Sequence, residues 1–110
     1  MKPMTVLSYE EDDMPRHVAI YRARCGTDEC ILLFYMYRGA PYAVVVPARP
    51  SPLCGLVDLE NARIVSRIVT DLGITSAYLP ACKVSSRLLR GSIRETINML
   101  ISLGLIDEIL

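Results

Sequence analysis

The sequence lacks the residues and motifs on which most enzymes depend. It has one histidine, His17, which stands in an alternating segment with no serine or cysteine nucleophile near it in a recognisable motif. Its glycines stand singly and form no glycine-rich phosphate loop. Its acidic residues cluster at 10–13 and 107–108, where solvation accounts for them. We therefore expect a protein that is not an enzyme, with no catalytic residues and no cofactor.

Long hydrophobic runs and side-chain amides are also scarce. The longest apolar run extends only from Cys30 to Tyr37, less than half of the roughly 18 residues that a membrane-spanning helix needs. The N-terminal segment turns acidic at Glu10, before an apolar signal segment can form. We expect a cytoplasmic protein that does not bind membranes. The absence of glutamine, beside only Asn61 and Asn98, is a pattern reported for heat-adapted proteins and points to a thermophilic protein.

An excess of charge of either sign is missing as well. The 12 Lys and Arg residues balance the 12 Asp and Glu residues, and the isoelectric point is about 6.6. A neutral chain has no overall field with which to hold a polyanion. A nucleic-acid site would therefore have to be a local patch.

Length and apolar content predict one self-associating domain. The 110 residues suffice for one hydrophobic core but not for two, so we predict a single domain over residues 1–110. Hydrophobic residues make up 52% of the sequence, slightly above the roughly 45 to 50% usual in soluble domains. A small chain can hide only part of this apolar surface by folding alone. We therefore expect a homo-oligomer or a protein partner.

The first half of the sequence has the two-residue periodicity of β-strands. Residues 16–25, "RHVAIYRARC", alternate, and residues 30–38, "CILLFYMYR", are apolar at nearly every position, as expected of a central strand covered on both sides. A third strand, "YAVVVP", follows, with Tyr37 predicted to lie opposite Tyr42. The segments "MTVLSYE" and "ITSAYLPA" (74–81) are further candidates. We predict a meander within an antiparallel sheet of four to five strands.

The second half has helical periodicity in two segments. The first helix is predicted to begin at the N-cap Asp58 and to end at Gly73. The second begins with a capping box formed by Ser92 and Glu95 and ends at Gly104. The predicted fold class is therefore α+β, with the two amphipathic helices packed on one face of the sheet.

The four cysteines allow thiols, a disulfide or a metal site. If the first hairpin turns around residues 27–28, Cys25 lies directly opposite Cys30, near enough for a disulfide. Reduced, semi-buried thiols are nevertheless the default expectation, and this disulfide is the alternative. The isolated Cys54 and Cys82 do not supply the paired knuckles that shape zinc sites, so we predict no metal site.

A local basic cluster is the most suggestive feature of the sequence. It consists of four residues at spacings of four, three and four: Lys83, Arg87, Arg90 and Arg94. They share one face if this whole segment is helical, and such a face can grip the phosphates of a nucleic acid. The Gly-Ser pair that follows Arg90 favours a break, which would scatter the face.

Residues 91–106, "GSIRETINMLISLGLI", resemble the recognition helix of winged-helix DNA-binding domains, a capped, arginine-bearing helix that enters the major groove. The resemblance implies that this helix binds DNA. It covers this segment alone. A helix-turn-helix would have small or apolar residues where this sequence has Ser86, Arg87, Arg90 and Ser92, and the following "LIDEIL" does not read as the β-hairpin of a wing.

Self-association is the leading functional hypothesis: a small non-catalytic protein–protein interaction or assembly module that pairs through its sheet or through the apolar tail "LIDEIL". The alternative is a nucleic-acid-binding protein that uses the basic residues of 83–94, extended by Arg22 and Arg24 on the adjoining strand. A small-molecule site between sheet and helices is a third hypothesis, to which no residue points.

Overall fold

A computed structural model describes residues 2–47, 51–74 and 80–110. These residues form seven strands, a 3₁₀ turn and two α-helices, which confirms the predicted α+β class. The strands are β1 (Thr5–Leu7), β2 (Arg16–Cys25), β3 (Asp28–Tyr37), β4 (Ala40–Val46), β5 (Cys54–Leu56), β6 (Cys82–Val84) and β7 (Glu108–Ile109). The helices are α1 (Leu59–Asp71) and α2 (Ile93–Ser102), and the 3₁₀ turn is Ser86–Leu88.

The strands form one antiparallel sheet in the order β1-β2-β3-β4-β6-β5, and β7 joins it beside β2. Because β1 pairs with residues 18–20 of β2 and β7 with residues 23–24, these two short strands share one side of β2. The predicted meander is formed by β2, β3 and β4. The sheet has more strands than the predicted four or five because β5, β6 and β7 have only three, three and two residues. Segments this short do not show the period that identifies a strand in a sequence.

The two helices cover opposite faces of the sheet, which corrects the prediction that both pack on one face. Leu33 of β3 shares a core with Ile64 and Ile68 of α1, and we call this side the α1 face. Its neighbour Leu32 shares a second core with Ile97 of α2, and we call that side the α2 face. Successive side chains of β3 point to opposite faces, and both sets are apolar and buried. A helix is therefore needed on each face to exclude water.

The first hairpin has a register two residues away from the predicted one. Cys25 lies opposite Asp28 rather than Cys30, because the turn consists of Gly26 and Thr27 alone. Gly26 has a φ of 69°, which glycine adopts without steric cost. A register shift of two residues keeps every side chain on the same face, so the predicted pattern of faces is retained.

The second hairpin differs from the prediction in the same way. Tyr37 lies opposite Ala40 rather than Tyr42. The two turn residues, Arg38 and Gly39, have φ values of 52° and 77°. Positive φ at both positions is typical of the type I′ turn, whose twist matches that of the flanking strands.

Both helices begin at the predicted caps. The Asp58 carboxylate accepts a hydrogen bond from the Asn61 backbone N–H at 2.8 Å. The Ser92 hydroxyl accepts one from the Glu95 backbone N–H at 3.1 Å. The glycine that follows each helix has a positive φ, as expected of a helix C-terminus.

The C-terminal residues return to the sheet. Ile106 is only 1% exposed and belongs to the core of the α2 face. The backbone N–H groups of Asp107 and Leu110 donate hydrogen bonds to the carbonyls of Arg24 and Arg22, at 2.8 and 2.9 Å. The tail therefore covers the outer side of β2 beyond β1.

The strand candidate at 74–81 lies largely outside the described residues. None of the helices formed within 2–47, 51–74 and 80–110 has the length and apolar character needed to cross a bilayer.

Candidate functional site

Lys83 is separated from the other members of the predicted basic cluster. It lies in β6 between Cys82 and Val84, which point into the α2 face, so its own side chain points to the α1 face. Its Nζ atom lies 3.6 Å from the Asp58 carboxylate and 5.7 Å from the centre of the Tyr42 ring. The spacing from 83 to 94 does not correspond to one helical face, because residues 82–84 are a strand and 86–88 a 3₁₀ turn.

Arg87, Arg90 and Arg94 are exposed residues of the segment that leads into α2 and of the first turn of α2. We call these three residues the arginine group. Arg90 Nη1 donates a hydrogen bond to the Arg87 carbonyl at 3.1 Å, which holds the two residues side by side. Among the residues that the structure describes, none of the three forms an ion pair with an acidic side chain. Their positive charge is therefore not neutralised within the described fold.

Arg22 and Arg24, the strand residues expected to extend the basic cluster, are paired with acids. Arg22 forms a bidentate pair with Glu29, and the bonds it donates lower the pKa of the Glu29 carboxyl. Arg24 Nε lies 3.1 Å from the Glu108 carboxylate, in the C-terminal strand. These contacts use the two arginines inside the fold, so they do not add to the arginine group.

The structure joins the cysteines in two disulfides, both on the α2 face, which corrects the default expectation of reduced thiols. Cys25 and Cys30 are bonded with their Cα atoms 5.9 Å apart, as diagonal neighbours rather than directly opposite residues. Cys54 and Cys82 are bonded across β5 and β6, with their Cα atoms 5.2 Å apart. Sequence reasoning missed the second pair because neither short strand was predicted. Among the described residues, no group of three or more His, Cys, Asp or Glu side chains is placed to hold a metal ion.

Two strongly exposed leucines lie in and just after β5, the last strand of the sheet order. Leu56, in β5, has 76% of its surface exposed, and Leu59, at the start of α1, has 92%. We call these two residues the β5 edge. On the far side of the sheet, Val6 of β1 is 61% exposed. Sequence reasoning did not identify the β5 edge, although one signal exists: Leu59 directly follows the N-cap Asp58 and lies outside the buried stripe of α1.

Comparison of the chain with protein-family models, with curated proteins and with solved structures found no match.

Proposed function

We propose that this protein is a small, non-catalytic assembly module that self-associates by pairing the β5 edges of two copies. The observation that carries the proposal is the exposure of Leu56 and Leu59, in and just after the last strand of the sheet order. Among the described residues, only Ser51 pairs with the outer side of this strand, at Cys54. Exposed apolar side chains next to an open strand are a typical starting point for strand addition.

The hydrogen-bonding pattern of β5 supports the same proposal. Cys54 exchanges both of its backbone hydrogen bonds with Ser51, on the side away from β6. In an antiparallel pair the direction of these bonds alternates from one residue to the next. Gly55 therefore bonds toward Lys83 of β6, and the N–H and C=O of Leu56 are directed outward. A second copy related by a two-fold axis can supply the matching groups.

Burial of the leucines favours such a dimer. A leucine side chain that passes from full exposure to full burial contributes roughly 1.5–3 kcal/mol. With two leucines from each copy, the gain works against the entropy lost on association. Because the contact is isologous, it closes at two copies and does not propagate into a fibre.

Sedimentation velocity across micromolar concentrations tests this proposal. The wild-type protein is expected to be a dimer that dissociates on dilution, and Leu56→Asp is expected to be a monomer because it places a carboxylate in the new interface. Val6→Asp is the matched control, since it makes the same kind of change at the opposite edge. A wild-type monomer at all concentrations, or a monomer produced by Val6→Asp and not by Leu56→Asp, would contradict pairing at β5.

Nucleic-acid binding is the second candidate function, and the arginine group favours it. Three arginines within eight residues of sequence, with no acidic partner among the described residues, supply a local positive charge that a chain of zero net charge lacks overall. Lys83 does not belong to this positive patch, because its side chain lies on the α1 face beside Asp58.

Fluorescence anisotropy with labelled single-stranded and duplex oligonucleotides tests the second candidate. We expect binding at low salt that weakens steeply as salt is added, and loss of binding in the double variant Arg87→Ala/Arg90→Ala. The control, Arg38→Ala/Arg63→Ala, removes the same charge from arginines that are paired with acids. Absence of binding at low salt, or equal loss in both double variants, would rule out the arginine group as a specific site.

A further inference from the structure

A small cavity lies between the sheet and the segment that leads into α2. It has a volume of about 230 Å³ and is bounded by the ends of β2, β3 and β4 on one side and by residues 89–93 on the other. Apolar cavities of about 150 Å³ are known to hold benzene. The space is therefore large enough for one aromatic ring with one small polar group.

The inner wall of this cavity is apolar. Phe34 and Met36 of β3 line it together with Pro41 of β4 and Ile93 of α2. Phe34 is only 7% exposed, and its ring is fixed by an edge-to-face contact with Tyr21 at 5.9 Å between ring centres. A fixed aromatic ring and a methionine thioether are favourable neighbours for the ring of a ligand.

The rim of the cavity is basic. His17 and Arg90 both line it, and neither Asp nor Glu is among its lining residues. Arg90 uses one of its guanidinium N–H groups on the Arg87 carbonyl, and a guanidinium has five such donors in all. The remaining donors suit the paired oxygens of a carboxylate or phosphate.

The backbone at His17 supports a role for this residue at the rim. Its φ of 56° lies in the left-handed region that residues with a Cβ adopt rarely. The irregularity falls between Arg16 and Ala19, where the pairing of β2 with β3 shifts. Bulges of this kind redirect a side chain that regular pairing would point elsewhere, and strained positions persist where the surrounding structure holds them.

We propose that this cavity binds a small ligand composed of one aromatic ring and one anionic group, a carboxylate or a phosphate. The ring lies against Phe34, Met36 and Pro41, and the anionic group is held by Arg90 and the His17 imidazole. The backbone N–H groups at the start of α2 are not required, since that of Glu95 is already bonded to the Ser92 hydroxyl. The proposal does not depend on dimer formation at β5.

Titration with phenyl phosphate, followed by ¹H–¹⁵N NMR, tests this proposal. We expect saturable shifts confined to residues 89–93 and to the positions that flank His17. Benzyl alcohol, which lacks the charge, and inorganic phosphate, which lacks the ring, are expected to bind at least about tenfold more weakly, because each loses one half of the site. Absence of saturable shifts at millimolar phenyl phosphate would overturn the proposal.

Two variants and a control separate the cavity from a general basic surface. Arg90→Ala is expected to weaken phenyl phosphate binding about tenfold or more. The control, Arg87→Ala, removes the same charge from a residue that does not line the cavity, and it should leave the affinity within about twofold. Equal weakening by both variants would overturn the proposal and favour a diffuse basic surface of the kind that binds nucleic acid.

His17→Gly provides a variant that is expected to fold, since glycine accepts the positive φ without a Cβ clash. It should retain or increase the thermal stability and weaken phenyl phosphate binding. Unchanged binding in a folded His17→Gly protein would show that the imidazole does not contribute, and would contradict its assignment to the rim.

Discussion

The two faces of the sheet hold helices of similar length by different forces. On the α1 face, side-chain hydrogen bonds cross from the sheet to the helix: the Tyr35 hydroxyl donates to the Asn61 side chain, and the Tyr37 hydroxyl donates to Glu60 at 2.8 Å. On the α2 face, no side-chain hydrogen bond within the described residues joins α2 to a strand. There the contact is apolar, and both disulfides, each of which joins two strands, lie in the same core.

The one buried polar residue of each helix illustrates this difference. Asn61 of α1 is 3% exposed and connects β3, through Tyr35, to the Asp58 cap. Thr96 of α2 is 2% exposed. Its hydroxyl accepts a hydrogen bond from the Arg90 backbone N–H and donates one to the Ser92 carbonyl, so both partners lie in the segment that leads into α2 and not in the sheet.

The charged side chains differ in the same way. Both arginines of α1, Arg63 and Arg67, lie within ion-pair distance of acids. Arg38 pairs with Glu60 of α1, and Lys83 pairs with the Asp58 cap. The arginine group beside α2 is unpaired within the described chain. Charged groups beside α1 are therefore used in contacts within the fold, whereas the arginine group beside α2 has no acidic partner among the described residues.

The largest expected effect is that of removing apolar packing from the α2 face. Leu100 of α2 is fully buried, so Leu100→Ala deletes core atoms and leaves a cavity. We expect a loss of about 2–5 kcal/mol in the free energy of unfolding, measured by chemical denaturation. Leu103→Ala, at a position 43% exposed, is the control and should change stability little. Similar losses in both would show that α2 is not held by buried packing.

The disulfides are expected to contribute next. Cys54→Ala/Cys82→Ala removes a bond that closes a loop with a sequence separation of 28, and we expect it to cost about 2–4 kcal/mol of unfolding free energy. Cys25→Ala/Cys30→Ala should cost less, because its sequence separation is 5 and a short loop constrains the unfolded chain less. Alkylation and mass spectrometry without reductant should find no reactive thiol in the wild-type protein. Four alkylated cysteines would contradict both bonds.

The polar link of the α1 face ranks third. Asn61→Ala leaves the buried Tyr35 hydroxyl without its acceptor, and an unsatisfied buried group costs about 1–3 kcal/mol. Burial raises the pKa of the Tyr35 hydroxyl, so this group stays protonated at neutral pH and still needs a hydrogen-bond acceptor. The double variant Asn61→Ala/Tyr35→Phe should be less destabilised than the sum of the single variants. Strict additivity in denaturant unfolding would contradict the link.

The two N-caps provide a fourth, pH-dependent comparison. Asp58→Ala and Ser92→Ala should each cost about 1 kcal/mol at neutral pH. The Asn61 backbone N–H lowers the pKa of Asp58, so the folded pKa lies below the unfolded value of about 3.9. The contribution of Asp58 is therefore complete above that unfolded value and declines as the pH falls through the folded pKa. The loss of unfolding free energy caused by Ser92→Ala should not vary with pH over this range. If the loss caused by Asp58→Ala were equally independent of pH, the proposed contact between the ionised Asp58 carboxylate and the Asn61 backbone N–H would be contradicted.

The fold can be predicted from the sequence only where an element is long enough to show its hydrophobic periodicity. β2 and β3 have 10 residues each, and their alternation predicts the correct faces. The registers differ by two because such a shift leaves every face unchanged, and only turn geometry distinguishes the two pairings. One turn uses Arg38 at positive φ, which sequence propensity does not suggest for arginine. The sequence of β3 alone predicts one helix on each face, because a strand that is apolar on both sides must be packed against other elements on both faces.

The candidate sites were less accessible to sequence reasoning. Lys83 and Arg87 are four apart, but a strand and a 3₁₀ turn replace the helix that this spacing assumed. The sequence gives His17 no role beyond that of a strand histidine, because the cavity that it lines together with Arg90 depends on a bulge in β2. Contacts between distant segments are set by tertiary packing, which local periodicity does not encode.

The smallest expected effect comes from the surface charges that distinguish the helices. Arg67 contacts Glu11 at 3.2 Å and Asp71 at 3.1 Å. A backbone hydrogen bond at Glu11 and, second to it, the bond from Arg67 lower the pKa of the Glu11 carboxyl. Arg67→Met should reduce the melting temperature slightly at low salt and by less at high salt, because exposed ion pairs are weak and screened. Arg94→Met, which removes an arginine without an acidic partner among the described residues, should leave the melting temperature unchanged at both salt concentrations. Scanning calorimetry measures both. If the Arg94 variant were stabilised at low salt, mutual repulsion within the arginine group would be the cause, and the contrast between the helices would be stronger than their contacts alone indicate.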